Sequence, residues 1–124
     1  MKKVIATTQA PAAIGPYSQA IEANGTVYVS GQIPVDPATG VIADTVEAQA
    51  KQSLENVKHI LEAAGLTMTD VVKTTVLLAD INDFAAVNAV YAQYFTSEQP
   101  ARACYQVAAI PKGAKLEIEA IAVR

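Results

Sequence analysis

The chain has 124 residues, of which 52% are hydrophobic and 17% are charged, and this balance excludes an intrinsically disordered chain. A formal net charge of -3 gives no overall basic charge, which argues against nucleic-acid binding but does not exclude a local basic patch. No apolar run approaches the length that spans a membrane. One cysteine and one histidine exclude an internal disulfide and make a poor metal-ligand set, so the composition predicts one cytoplasmic, metal-free domain over residues 1–124.

The first part of the chain has the pattern of short strands joined by turns. Residues 3–6 predict a first strand, and residues 10–16 contain two prolines and a glycine, which predict an irregular loop. Residues 17–23 and 26–33 are strand-like runs separated by Asn24-Gly25, a pair that favours a tight turn because both residues tolerate a positive φ. We therefore expect an antiparallel hairpin.

A long amphipathic helix is predicted in the middle of the chain. Asp44 and Glu47 have the three-residue spacing of a helix-capping pair, and Gly65 ends the pattern. The apolar positions between them recur at helical spacing: Val46, Ala50, Leu54, Val57, Leu61 and Ala64. Charged residues occupy the opposite side, so we expect only one side of this helix to be buried.

The second half of the chain predicts three strands and a second helix. Residues 71–78 are rich in β-branched residues on both faces, as in an interior strand. Residues 80–83 can cap a helix whose apolar stripe contains one polar residue, Asn88. Residues 102–108 and 115–123 then predict the last two strands.

These elements follow the order β-β-β-α-β-α-β-β and predict an α+β fold with a six-stranded mixed sheet. Two helices can cover only one face of such a sheet. Because the strand over residues 71–78 is apolar on both sides, we expect the other face to pack on further copies of the chain, most simply in a closed cyclic homo-oligomer.

Arg102 is the first candidate for chemistry, because it places a cation inside a strand-like, largely apolar run. An arginine fork binds a carboxylate through two parallel hydrogen bonds and so fixes the plane of a small acid. The alternative is a structural role, either in an ion pair or as a surface arginine whose aliphatic part packs on the protein, and the local sequence alone slightly favours that structural role.

Cys104 lies on the same face of that predicted strand, two residues after Arg102. A nucleophilic thiolate needs a base, and the only histidine, His59, falls on the polar side of the first helix. We therefore interpret Cys104 as pocket lining or core.

Two acidic residues, Glu117 and Glu119, share one face of the last predicted strand. A glutamate beside a bound substrate can hold or activate water as a general base, with a pKa raised by burial or lowered by Arg102. For Glu119 we favour an exposed strand face, whereas for Glu117 the structural and functional interpretations are balanced.

Three residues nearer the N-terminus are further candidates for lining a site. Tyr17 leaves the proline-rich loop, and Ser30 and Gly31 offer a hydroxyl and a backbone that a ligand can approach closely. Each also has a structural interpretation, as a packing tyrosine, a strand hydroxyl and a β-bulge glycine. The loop before Tyr17 contains no phosphate-binding or dinucleotide fingerprint, so nothing supports a nucleotide cofactor.

Five segments together resemble one known family. They are residues 12–19 (AAIGPYSQ), 30–34 (SGQIP), 72–76 (VKTTV), 100–104 (PARAC) and 118–122 (IEAIA). They span nearly the whole chain, in order and without large insertions. The chain therefore resembles the RidA (YjgF) family of reactive-intermediate imine deaminases, also called the endoribonuclease L-PSP family.

The resemblance implies a chorismate-mutase-like α+β fold and a homotrimer whose sheets pack into a central β-barrel, with three clefts between subunits. It implies hydrolysis of reactive 2-enamine and 2-imine acids, such as the tautomers of 2-aminoacrylate, to 2-keto acids and ammonia. The implied partner is thus a small imine or keto acid, and no cofactor is required.

The resemblance also implies roles for individual residues. Arg102 matches the arginine that binds the substrate carboxylate, and Glu117 matches the glutamate that positions water. The positions that match the lining of the cleft are Tyr17, Ser30, Gly31, Asn88 and Cys104. Since the uncatalysed hydrolysis is already fast, positioning is enough and no activated nucleophile is needed. Residues 105–111 (YQVAAIP) are less charged than in many relatives, which leaves the preferred substrate open.

Two other classes of function remain as alternatives. One is a module that binds 2-keto acids and regulates without turnover, which requires Arg102 but tolerates loss of Glu117. The other, known in the family, is an RNA-directed translation inhibitor or a chaperone. The acidic balance of the chain argues against a broad nucleic-acid surface.

Overall fold

The computed structural model describes residues 1–124 and contains one six-stranded mixed sheet with two α-helices on one of its faces. The strands are β1 (Lys3–Ile5), β2 (Ala20–Ala23), β3 (Thr26–Gln32), β4 (Val71–Leu78), β5 (Ala101–Gln106) and β6 (Leu116–Val123). The helices are α1 (Val46–Ala63) and α2 (Phe84–Tyr94). The predicted order of strands and helices is confirmed.

The strand order in the sheet is β1-β2-β3-β6-β4-β5. Only β4 and β5 are parallel neighbours, and α2 forms the crossover between them, as a parallel connection requires. All other neighbouring strands are antiparallel. The last strand of the chain, β6, is therefore central, whereas β5 lies at an edge of the sheet.

The hairpin between β2 and β3 turns at the predicted Asn24-Gly25 pair, where φ is 52° and 78°. The prediction of a strand over residues 17–23 is wrong for its first three residues. Gly15 has φ of 106°, and its carbonyl accepts a hydrogen bond from the N–H of Tyr17 at 3.0 Å. This turn and the proline before Tyr17 keep the chain irregular until Ala20.

Helix α1 buries the predicted apolar stripe, but its N-cap lies one residue after the predicted N-cap. The N-cap is Thr45, whose hydroxyl accepts a hydrogen bond from the N–H of Ala48 at 3.2 Å, so the prediction of Asp44 as the cap is wrong. Threonine and aspartate both serve in this position because each places an oxygen near the first free N–H groups. Neither α1 nor α2 combines the length and the apolar composition that a membrane-spanning helix needs.

The hydrophobic core lies between the helices and one face of the sheet. On β6 the residues in contact with the core are at most 2% exposed, and they alternate with residues that point the other way. We call the uncovered side the open face. From the pairing registers it carries Tyr28, Lys73, Thr75, Leu77, Tyr105, Glu117, Glu119, Ile121 and Val123.

Candidate active site

Arg102 projects from the edge strand β5 across one face of helix α2. Its Nη1 donates a hydrogen bond to Oδ1 of Asn88 at 2.7 Å. Its guanidinium carbon lies 4.9 Å from the ring centre of Tyr91 and 5.4 Å from that of Phe84. These three residues lie three or four positions apart, so one face of α2 presents two aromatic rings and an amide oxygen to the guanidinium. We call this arrangement the arginine cradle.

Arg102 forms no ion pair within the protomer, so the contacts of a single subunit do not support its interpretation as a structural ion pair. The ion-pair contacts of the protomer join Arg124 to Glu22 and His59 to Glu55, and none includes Arg102. A guanidinium fixed in this way retains N–H donors for a bidentate carboxylate. Beside it lies a groove of about 450 Å³, lined by Asn88, Tyr91, Ala92, Phe95, Gln99, Pro100 and Arg102.

Cys104 lies on the same face of β5 as Arg102 and packs partly buried against the core, opposite Val76 of β4. Burial raises the pKa of its thiol, and the charge of Arg102 lowers it to a smaller extent. A thiol that is held neutral is a poor nucleophile. This environment argues against a nucleophilic role and agrees with the interpretation of Cys104 as pocket lining or core.

Glu117 lies on the open face, opposite Leu77 of β4, and is partly buried. A Cβ atom added at Gly31 would lie 2.8 Å from the carboxyl carbon of Glu117 and would overlap Oε2. Gly31 therefore provides the space in which this carboxylate lies. Burial raises the pKa of Glu117, and the nearby charge of Glu119 raises it further. A raised pKa favours a general base that works nearer to neutral pH.

Ser30 and Gly31 form a β-bulge where the register between β3 and β6 shifts. The hydroxyl of Ser30 donates a hydrogen bond to the carbonyl of Ser18 at 2.6 Å. Ser18 directly follows Tyr17, whose side chain is 53% exposed. The bulge and the end of the loop that carries Tyr17 are thus joined, and Glu117 lies against the same bulge.

The two predicted catalytic residues lie on opposite faces of the sheet. Arg102 pairs with Thr74 of β4, and Glu117 pairs with Leu77 of the same strand. An odd separation along a strand places side chains on opposite faces. One protomer therefore keeps two separate groups, with Arg102, Asn88 and Cys104 in the first and Tyr17, Ser30, Gly31 and Glu117 in the second.

Sequence reasoning missed three residues that shape these groups: Phe84 and Tyr91 of the arginine cradle, and Gln19 in the loop before β2. Phe84 and Tyr91 belong to the apolar stripe predicted for the second helix, and the available signal for them was Asn88, the polar residue between them in that stripe. The available signal for Gln19 was an amide side chain two positions after the candidate Tyr17. No three histidine, cysteine, aspartate or glutamate side chains form a group that could hold a metal ion.

The protein is a small α+β protein with a mixed sheet that has one uncovered face. Its candidate site for an anionic ligand is Arg102, which lies beside a groove and has no carboxylate partner within the protomer. The family model described as endoribonuclease L-PSP matches residues 7–124. The chain belongs to this family, which is the RidA (YjgF) family that the sequence resembles.

Known members resemble the chain over its whole length. A Salmonella typhimurium protein named 2-iminobutanoate/2-iminopropanoate deaminase is 61% identical over 127 residues, covering 100% of this chain and 99% of the relative. The human protein of the same name is 58% identical over 125 residues, covering 100% and 91%. A crystal structure of Escherichia coli TdcF with bound serine is 55% identical, with a TM-score of 0.94 and 98% of each chain covered.

Proposed function

We propose that this protein is a cofactor-independent 2-iminobutanoate/2-iminopropanoate deaminase. Full-length relatives at about 60% identity carry that name. Serine, which is bound in the related TdcF structure, resembles a small 2-imino acid in having a carboxylate and a nitrogen on the same carbon. The observation that carries the proposal is Arg102, which α2 fixes beside a groove without a carboxylate partner.

The proposed site combines residues of two subunits. Arg102 and Glu117 lie on opposite faces of one sheet, so a substrate that touches both needs a second copy of the chain. The open face supports such packing, because no helix covers it and Tyr28 and Tyr105 on it are 50% and 51% exposed. A homotrimer with the open faces turned inward satisfies both requirements.

Arg102 holds and orients the substrate in this mechanism. Its N–H donors bind the two carboxylate oxygens, and the bond to Asn88 sets the plane of the guanidinium. The adjoining C2 carbon is then fixed relative to the partner subunit's bulge. Such orientation replaces a random encounter with water by a defined approach, which accelerates an already feasible hydrolysis.

Glu117 acts on the water. In its ionised form it accepts a proton as the water oxygen forms a bond to C2, and the π electrons of the C=N bond move to nitrogen, which takes that proton. The carbinolamine that results has one hydroxyl and one amine on C2. Transfer of the hydroxyl proton through Glu117 to the amine then breaks the C–N bond, which releases ammonia and the 2-keto acid.

Coupling to a dehydratase that generates 2-aminoacrylate tests the proposal. After subtraction of the uncatalysed rate, Arg102→Ala and Glu117→Gln are each expected to lower kcat/KM by about 100-fold or more. The matched controls are Arg124→Ala, which changes the only other arginine, and Glu62→Gln on the exposed side of α1; both should retain activity. An Arg102→Ala variant as fast as the wild type would contradict the assignment.

Calorimetry with pyruvate separates the enzyme from a keto-acid-binding regulator. For the enzyme, Glu117→Gln should bind pyruvate while failing to turn over imine, and Arg102→Ala should lose binding. Tight pyruvate binding by a wild-type protein that shows no deamination would instead support the regulatory module.

A further inference from the structure

A single buried side chain organises the loop between β1 and β2. Gln19 is 5% exposed, and its Oε1 accepts a hydrogen bond from the N–H of Thr7 at 2.7 Å. Its Nε2 lies 3.1, 3.3 and 2.8 Å from the carbonyl oxygens of Thr7, Ala10 and Pro11. The loop has no regular structure and contains two prolines, so it cannot pair its own backbone as a strand would. The amide of Gln19 supplies the missing partners.

The main chain of the same residue is bonded to the bulge. The carbonyl of Gln19 accepts a hydrogen bond from the N–H of Ser30 at 2.9 Å, and the Ser30 hydroxyl donates to the carbonyl of Ser18 at 2.6 Å. The next residue, Gly31, borders the carboxylate of Glu117. Gln19 is thus bonded to the loop on one side and to the bulge on the other.

We propose that Gln19 is a positioning residue of the active site, which holds Tyr17 and the Ser30–Gly31 bulge in register with Glu117. The inference rests on the proposed function, because it assigns Gln19 a role in that same site. Gln19 does not touch the substrate itself. It acts through Tyr17, two residues before it, and through the backbone of Ser30.

The chemistry of the side chain explains why an amide stands at this position. The Oε1 atom of Gln19 accepts a hydrogen bond from a backbone N–H, and its Nε2 group faces three backbone carbonyls. No other uncharged side chain of this size offers both an acceptor and an NH₂ donor group. Methionine has a similar volume without the polar atoms. Gln19→Met therefore removes the hydrogen bonds while filling the same space, and leaves the buried carbonyl of Ala10 and the partly buried carbonyls of Thr7 and Pro11 without this partner.

Hydrogen–deuterium exchange is the first test. In Gln19→Met, amide exchange should rise across residues 6–18 and at Ser30 and Gly31, and it should stay unchanged in α2. Unchanged exchange at the bulge would overturn the proposal, even if the loop itself exchanged faster. This measurement does not depend on catalysis. If the wild type proves inactive as a deaminase, the proposed function fails. The amide exchange of Ser30 and Gly31 then still decides whether Gln19 holds the bulge in place.

Kinetic coupling to Tyr17 is the second test. At temperatures where each variant is fully folded, Gln19→Met should lower kcat/KM by about tenfold or more, because displacement of a site by about 1 Å has effects of this size. In a Tyr17→Ala background the same substitution should lower kcat/KM by a clearly smaller factor than in the wild type, since Tyr17 is gone and only the bulge is left to be displaced. Additive effects, or wild-type kcat/KM in Gln19→Met, would overturn the proposal.

Gln49 offers a matched control. It is 3% exposed, and its side chain bonds the carbonyl of Ala43 and the N–H of Lys115, each at 2.8 Å. Gln49→Met should lower the melting temperature as Gln19→Met does, yet its effect on kcat/KM should stay within about twofold and add to that of Tyr17→Ala. If Gln19→Met does not fold, Gln19→Asn, which is one methylene shorter, is measured in the same three experiments.

Discussion

Two acidic residues on the open face differ in their surroundings. Glu117 is partly buried and lies against the bulge at Gly31, whereas Glu119 is exposed two positions along the same strand. Burial is the larger cause of the raised pKa of Glu117, and the negative charge of Glu119 is the second. Both effects favour the protonated form, so Glu117 ionises at a higher pH than an exposed glutamate does.

The substitution Glu119→Gln tests this coupling. Removing the neighbouring negative charge makes ionisation of Glu117 easier and lowers its pKa. If ionised Glu117 is the general base, the acidic limb of the kcat/KM profile should move to lower pH, while the plateau at high pH stays the same. Glu62→Gln is the control and should leave the limb in place. A limb that moves to higher pH would contradict the role of Glu117.

At the scale of elements, α2 connects the core to the arginine cradle. The hydroxyl of Tyr91 lies 2.7 Å from that of Thr74 on β4, and both residues are buried. The ring of Tyr91 packs 4.6 Å from the ring of Phe95 and lies beneath the guanidinium of Arg102. The same residue therefore fixes the helix on the sheet and supports the predicted carboxylate anchor.

Removal of one partner of this buried hydrogen bond should destabilise the protein. Tyr91→Phe leaves the Thr74 hydroxyl without a partner and should lower the free energy of unfolding by about 1–3 kcal/mol, whereas the double variant with Thr74→Val should recover much of that loss. Because the ring remains beneath Arg102, the KM for imine should change little. Urea denaturation measures the stability. A double variant that is as unstable as the sum of the single variants would contradict this account.

At the scale of the whole molecule, the two residue groups lie on opposite sides of the sheet, and this separation determines which residues oligomerisation has to bring together. Arg102 and Asn88 lie on the side of the helices, and Glu117 and Gly31 lie on the open face. The protomer has an arginine without a protein carboxylate partner on one side of the sheet and a partly buried carboxylate on the other. We expect a homotrimer to bring the arginine of one subunit to the glutamate of the next.

Mixing two inactive variants tests this arrangement. Co-expressed Arg102→Ala and Glu117→Gln subunits should recover about a quarter of the wild-type activity, because random assembly pairs an intact arginine with an intact glutamate in about one site of four. Native mass spectrometry verifies that mixed trimers form. The double variant mixed with either single variant should stay inactive. Mixed trimers without recovered activity would show that one subunit supplies both residues.

Much of the fold followed from local sequence patterns. The helical spacing of apolar residues predicted α1, the Asn24-Gly25 pair predicted the hairpin, and the β-branched run predicted β4 as an interior strand. These signals act between residues a few positions apart, so no knowledge of the tertiary structure is needed. Small errors arose at boundaries, such as the cap at Thr45, where neighbouring residues can serve equally.

The sequence by itself determined the order of the elements, the family and the identity of Arg102 and Glu117 as candidates. Only the tertiary structure decided which face each of them occupies, and that Phe84, Tyr91 and Gln19 support the two groups. Alternation along one strand is a local property, but the relation between two strands depends on the order and register of the sheet. The contacts of Gln19 likewise span 8 to 12 residues of irregular chain, which no local period encodes.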